Sequence, residues 1–501
     1  MREEAVDAIQ TDLAALLLEL NHQCLAIRMG LQDTQRTGAI FADHPMATSM
    51  DSIRFLKDLM ENEEDQDLRE RASRLYYGCI GQFLRLDLLM MDETLDQFLV
   101  TVGVNLNGER LTFGEMLPWI MSQDDFQNRE ALLGRARPLL AKAGVLKGHI
   151  WQETLRILQE DFGYPGYLQF CQEKKGMELD SLATRVEEFL RSTDVVYEHH
   201  ISQWVSRAFH RPFRDMIRYH AIRLLHLTDF DPGFPKEGLL PALRRTLEAM
   251  GIQGHLGGRL LVHLGEGQGR SALSRCVALR IPQEIQVTIK PWGGLADYEA
   301  LFHEMGHALH LAHTDPTLPY PYRHLSRSFA LTESFAFLLE GLLREPIWLA
   351  LHTGLSQSEI RDLSYHKTVK LLCLVRRYAG KFLFEHELFS RGDPGNGQIY
   401  SHWLQRATGF VYEPEAALLD LEEELYSGDY LMGWMGEACL RDYLKSTFGG
   451  DWFLKREAGR FLEEIWREGE RRSLWEVLGG IGCESLDLAP LQRTFGGLQI
   501  P

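Results

Sequence analysis

The chain has 501 residues, 45% hydrophobic and 25% charged, an ordinary globular mix that can bury a sizeable core without disulfide or metal staples. Lys and Arg number 53 against 71 Asp and Glu, and the resulting net charge of −18 argues against nucleic-acid and membrane-surface partners. No stretch reaches the roughly 18–20 apolar residues of a membrane span, and the seven cysteines form no CxxC pair, as expected of free thiols in a reducing cytoplasm.

The opening segment, MREEAVDAIQTDLAALLLELNHQC, is flanked by acidic residues and spaces its apolar residues helically. It reads as a packing helix and not as a secretory signal. Helix after helix is expected up to about residue 250. Residues 75–99 carry a wide apolar stripe at three and four spacing, and 150–172, 181–209 and 211–227 are similar. Gly163–Gly166 and Thr228–Pro235 separate them, and the acidic run Glu61–Asp67 reads as a solvated face or loop. No internal repeat or low-complexity linker is visible. The expected division is a helical lobe over 1–235 and a second lobe over 236–501.

The texture changes between 258 and 291. GRLLVHL (258–264), RCVALRI (275–281) and EIQVTIK (284–290) are short apolar runs. In the last, Ile285, Val287 and Ile289 alternate with Gln286, Thr288 and Lys290, the period of a half-buried strand. A small antiparallel sheet inside a mainly α protein is expected here. GEGQG (265–269) lacks the Lys-Ser/Thr of a phosphate loop and reads as a turn. Helices resume beyond Pro291.

Five of the 19 histidines (His303, His307, His310, His313, His324) fall within 22 residues, where an even spread would place roughly 0.8. The run DYEALFHEMGHALHLAH (297–313) contains HExxH at His303, Glu304 and His307. On a helix the two histidines lie about 40° apart and one turn along, so both imidazoles can share one metal. Zinc suits two imidazoles and a carboxylate with a position left for water. Glu304 points about 100° away, placed to take a proton from that water. Two residues compete for third ligand. His313 has metzincin spacing, but His310 stands where that pattern has a turning glycine, so a continuing helix carries His313 about 15 Å along the axis. Glu333, in the apolar helix ALTESFAFLLEGLL (330–343), is favoured, because a carboxylate on such a helix needs a partner. His310 and Glu340 are weaker candidates to line the cleft or orient a ligand.

LFHEMGHALH (301–310) followed by TESFAFLLE (332–340) resembles the thimet oligopeptidase / oligoendopeptidase F family of zinc metallopeptidases. The match runs residue by residue at His303, Glu304, His307 and Glu333, with convincing similarity over about 285–345. The resemblance implies a mainly α, elongated two-lobed body with a deep channel, one zinc at its floor, and short peptides as substrates. It also implies a late tyrosine segment that reaches over the metal, here YSGDYLMGWMGEA (426–438). Tyr430 takes the place of a family tyrosine that hydrogen-bonds the tetrahedral intermediate, and Tyr426 lies one turn before it. The family histidine just upstream is absent, Glu422 to Leu425 standing there, and a further family tyrosine is replaced by Trp434.

The expected function is a cytoplasmic zinc oligopeptidase with Glu304 as general base. The strand 284–290 is expected to offer an exposed edge at Gln286 and Thr288 to an extended peptide. Two alternatives stand beside it. One is a zinc carboxypeptidase of related helical fold, for which Arg323 and Arg327 are conceivable carboxylate anchors. The other is a helical scaffold that keeps the metal without turnover.

Overall fold

The computed structural model describes residues 2–32, 35–265, 274–392 and 396–498. These residues fold as a mainly α protein with 21 α-helices, one two-stranded and one three-stranded sheet. No described helix is long and apolar enough to cross a membrane. All seven cysteines are free thiols.

The chain packs as two compact units. The first combines Met1–Asp87, Phe230–Ile360 and Met432–Asp487; the second combines Leu88–Asp229, Arg361–Leu431 and Leu488–Pro501. Each unit therefore draws on both sides of residue 235.

In the second unit, long helices over Phe126–Glu160 and Leu179–Phe209 form where helical spacing was expected. The unit also holds a hairpin absent from the sequence expectation, β1 (Gly103–Leu106) and β2 (Glu109–Thr112). Its signal is the Asn107–Gly108 pair, both at positive φ (51° and 85°), which suits a two-residue hairpin turn.

In the first unit, the acidic run joins two helices: Glu61 and Asn62 end the helix Met50–Asn62, and after the link 63–65 the next helix starts at Gln66. Asp65 Oδ1 accepts from the N–H groups of Asp67 and Leu68 at 2.9 and 3.2 Å, opening the helix Gln66–Asp87. The three-stranded sheet consists of β3 (Leu260–Leu264), β4 (Arg275–Arg280) and β5 (Glu284–Ile289), in the order β3-β5-β4. β4 and β5 form the expected antiparallel pair, but β3 runs parallel to β5, so the sheet is mixed. Four of the five residues of the GEGQG segment (266–269) lie outside the described residues.

The substrate-edge expectation at Gln286 and Thr288 is corrected. β5 is the central strand, and both its sides carry ladder hydrogen bonds. Its polar face is also covered. Gln286 and Thr288 are 5% and 9% exposed. Gln286 Oε1 lies 2.6 Å from His263 Nε2, and Arg28 of the N-terminal helix (Arg2–Arg28) donates to Thr288 Oγ1 at 3.3 Å. The alternation of β5 thus separates an apolar face from a hydrogen-bonded buried face, not from solvent.

The motif helix (Leu295–His313) packs against this sheet, and the ligand helix (Ala330–Glu340) packs against the motif helix. They approach closely because Gly306 has no side chain. A Cβ there would fall 2.4 Å from Ala336 Cα and from the Phe335 carbonyl oxygen. Gly306→Val should therefore destabilise the protein by about 3 kcal/mol or more through backbone overpacking. Gly134→Ala is the matched control: it sits in an open stretch of the helix Phe126–Glu160 and should stabilise by about 0.5–1 kcal/mol. Chemical denaturation of both variants checks the contrast; equal stabilities would refute the close-packing account.

Candidate metal centre

The motif helix presents His303, Gly306 and His307 on one face by their three and four spacing. The ligand helix answers with Glu333, Ala336, Phe337 and Glu340. A third helix, Tyr426–Phe448, backs the ligand helix through two more glycines. A Cβ at Gly433 would fall 2.7 Å from Glu333 Cβ, and one at Gly436 would fall 2.2 Å from Ser334 Oγ. Glu333, 1% exposed, is thereby held with its carboxylate facing the two histidines.

His303 Nε2 lies 3.5 Å from Glu333 Oε2, and His307 Nε2 lies 3.6 Å from Glu333 Oε1. One donor atom from each of the three falls within 4.8 Å of the others, the one such His/Cys/Asp/Glu group among the described residues. The remaining imidazole nitrogens are engaged behind. His303 Nδ1 meets Glu340 Oε2 at 3.1 Å, and His307 Nδ1 meets Thr332 Oγ1 at 2.9 Å. With Nδ1–H given to these oxygens, both Nε2 lone pairs are left to face Glu333. This donor set fits a metal ion.

The electrostatics agree. Burial alone would lower the His303 imidazole, but the hydrogen bond to Glu340 and the charges of Glu333, Glu340 and Glu304 outweigh it and raise it to about 9. Without a metal, a proton on His303 is the cation these carboxylates attract. Burial, with His303 and His310 alongside, pushes His307 well down, so its nitrogen stays available.

Glu304 is hydrogen-bonded to the start of β4. The Cys276 N–H donates to its Oε2 at 2.6 Å, and the Ser274 hydroxyl approaches Oε1 at 3.4 Å. The carboxylate is thus fixed beside the centre by a strand edge.

The other expected residues are placed as follows. His310 is fully buried; its Nε2 lies 3.4 Å from the Gly469 carbonyl and its ring 5.0 Å from that of Phe335. It packs the helix and does not join the group of three. The motif helix continues unbroken to His313, which bonds the Leu309 carbonyl at 2.9 Å and lies 3.3 Å from Glu463. Arg323 donates to the carbonyls of Leu318 and Ile281, and Arg327 pairs with Glu70 at 3.3 Å. Trp434 stacks on Phe337 at 4.6 Å, and Phe337 meets the His303 ring at 5.3 Å, so an aromatic wall flanks the first histidine. Tyr426 and Tyr430 belong to the second unit; their rings lie 5.1 Å apart, and Tyr430 stacks on Tyr378 at 4.7 Å.

The roles of Thr332, Ser274 and Cys276 were absent from the sequence expectation. Thr332 had one available signal, its place directly before Glu333 at the start of an apolar helix. The contact of Cys276 with Glu304 is a strand-to-helix meeting that no sequence spacing encodes.

No protein-family model matches the chain, and no curated protein matches it by sequence. Among solved structures it is similar to an M32 carboxypeptidase from Deinococcus radiodurans R1, with a TM-score of 0.60 and 14% identity over 99% of this chain and 98% of that one. At that identity the likeness is one of fold, and it extends over essentially the whole chain: the mainly α architecture is shared with that carboxypeptidase.

Proposed function

We propose that this chain is a metal-dependent peptidase that hydrolyses short peptides, with one zinc per chain. The observation that carries this is the convergence of His303 Nε2, His307 Nε2 and the Glu333 carboxylate, with Glu304 held beside them. Two imidazoles and a carboxylate are the donor set of many catalytic zinc sites. When bound, the metal polarises the scissile carbonyl and acidifies water. Glu304 takes the proton of the attacking water and then passes it to the leaving amine. Glu340 and Thr332 hold the two imidazoles in the orientation that ligation needs. Tyr430, with Tyr426, is proposed as donor to the developing oxyanion on the strength of the sequence resemblance alone. A cytoplasmic location is proposed from the free cysteines.

Where the peptide is cut separates two forms of this function. The motif resemblance favours internal cleavage, of the thimet oligopeptidase / oligoendopeptidase F kind. The fold neighbour favours removal of C-terminal residues. Arg323 and Arg327 give the second form no support, since both are engaged within the fold.

The test is metal analysis together with mass-spectrometric mapping of cleavage in a mixed peptide pool. Zinc near one equivalent with defined cuts is the expected outcome. Zinc without turnover across the pool would instead support a metal-binding scaffold. Internally quenched peptides with amidated C-termini then divide the forms: an endopeptidase cuts them, and a carboxypeptidase cuts their free-acid versions alone.

A further inference from the structure

We propose that Glu385 is a positioning residue: its buried carboxyl latches the turn at Glu424–Leu425 and so fixes the Tyr426–Tyr430 segment that follows. The proposal rests on the role given to those tyrosines above.

The turn needs a latch because of its backbone. Glu424 and Leu425 are consecutive non-glycine residues at φ 56° and 50°, a left-handed pair that side chains with a Cβ rarely adopt. Such conformations persist where surroundings over-determine them, and they gather at functional segments. Leu425 is fully buried. From one side, the Glu424 N–H donates to Tyr167 Oη at 2.7 Å, Lys174 pairs with Glu424 at 2.5 Å, and Lys175 pairs with Asp429 at 2.5 Å.

From the other side, a single helix face does the holding. The helix Gln357–Arg391 presents Tyr378, Lys381 and Glu385 at spacings of three and four. Tyr378 stacks on Tyr430 with ring planes 5° apart. Lys381 Nζ reaches Glu422 Oε1 at 2.9 Å and Asp420 Oδ1 at 3.5 Å. Glu385, fully buried, spans the turn itself. Its Oε1 accepts from the Glu422 N–H at 3.2 Å, before the strained pair, and its Oε2 accepts from the Ser427 hydroxyl, after it. Burial pushes the Glu385 carboxyl up to about 8, against the pull of Lys381 and Ser427. Near neutral pH it therefore acts as a hydrogen-bonding group more than as a charge.

That distinction supplies the test. Glu385→Ala removes both bonds. Glu385→Gln keeps an acceptor for the Glu422 N–H and turns an amide N–H toward Ser427 Oγ, which can accept it. Hydrogen exchange of the backbone amides over 422–430 is read in the full chain, with zinc content, kcat and KM of the zinc-loaded protein alongside. In Glu385→Ala, exchange should quicken about tenfold and kcat fall about tenfold, with KM within about twofold and zinc unchanged. Glu385→Gln should stay close to wild type in every readout. Unchanged exchange in Glu385→Ala overturns the proposal. So does faster exchange with unchanged kcat, and so does a Gln variant as defective as the Ala variant, which would assign the effect to charge. If Glu385→Ala yields no folded protein, Ser427→Ala, which removes one of the two bonds, must show the same paired changes at smaller size; their absence overturns the latch. A wild type that cleaves no peptide sinks the proposed function instead, and exchange alone then decides whether Glu385 holds the turn.

Discussion

Glu304→Gln should bind zinc as tightly as the wild type and lose about 10²–10⁴-fold in kcat/KM on peptides, the range a positioned general base supplies. The variant is close to isosteric. Its amide oxygen can still accept the Cys276 N–H that fixes Glu304 at 2.6 Å, so the side chain should keep its place at the strand edge. The three donor residues are untouched, since Glu304 is not among the group that converges. What disappears is the ability to take a proton from water. Zinc content by atomic emission, thermal stability and steady-state kinetics are the three measurements. Full activity in this variant would remove Glu304 from the mechanism, and loss of zinc would show that it supports the centre in a way the geometry does not explain.

The candidate centre was legible because its signals are local. His303 and His307 are four apart on one helix, and Glu333 stands near the start of an apolar helix 26 residues later; helical periodicity suffices to align each. The closeness of those two helices was not legible. It depends on Gly306 meeting the backbone at Ala336, and on Gly433 and Gly436 meeting Glu333 and Ser334. A glycine inside HExxH reads as an unconstrained position until the neighbouring backbone is in view.

β5 shows the opposite failure. Its alternation correctly identified a strand, yet alternation cannot say what covers the polar face. Gln286 and Thr288 are buried because His263 and Arg28 hydrogen-bond them, and neither partner is near in sequence. Strand order is likewise a long-range property. The parallel pairing of β3 places β5 in the middle, and so removes the free edge that the pattern alone had invited. The β1–β2 hairpin differs again: its Asn107–Gly108 turn is a local signal, but it stands in a stretch whose spacing is otherwise helical.

Glu333→Ala should abolish tight metal binding. Two imidazoles remain, both on one helix, and nothing else among the described residues brings a third ligating side chain within 4.8 Å of them. Losing a hydrogen bond behind a ligand typically costs about 10–100-fold in metal affinity, so losing the ligand itself should cost more than about 100-fold. Glu340→Gln is the graded comparison. It keeps an acceptor for the His303 Nδ1–H, now at 3.1 Å from a carboxylate oxygen, but removes the charge. A loss of about tenfold is expected there. The measurement need not involve peptide hydrolysis. Zinc at about 100 times its Kd stabilises a folded protein by about 2.7 kcal/mol, which appears as a rise in Tm. The wild type should show that rise, Glu340→Gln should show it at roughly tenfold higher zinc, and Glu333→Ala should not show it at all. The metal-free Tm of each variant separates this from a packing defect, which matters because Glu333 is 1% exposed and leaves a hole when truncated. A Glu333→Ala protein whose Tm still rose with zinc as the wild type's does would mean that the third ligand lies elsewhere, and the convergence seen at His303, His307 and Glu333 would lose its meaning as a metal centre.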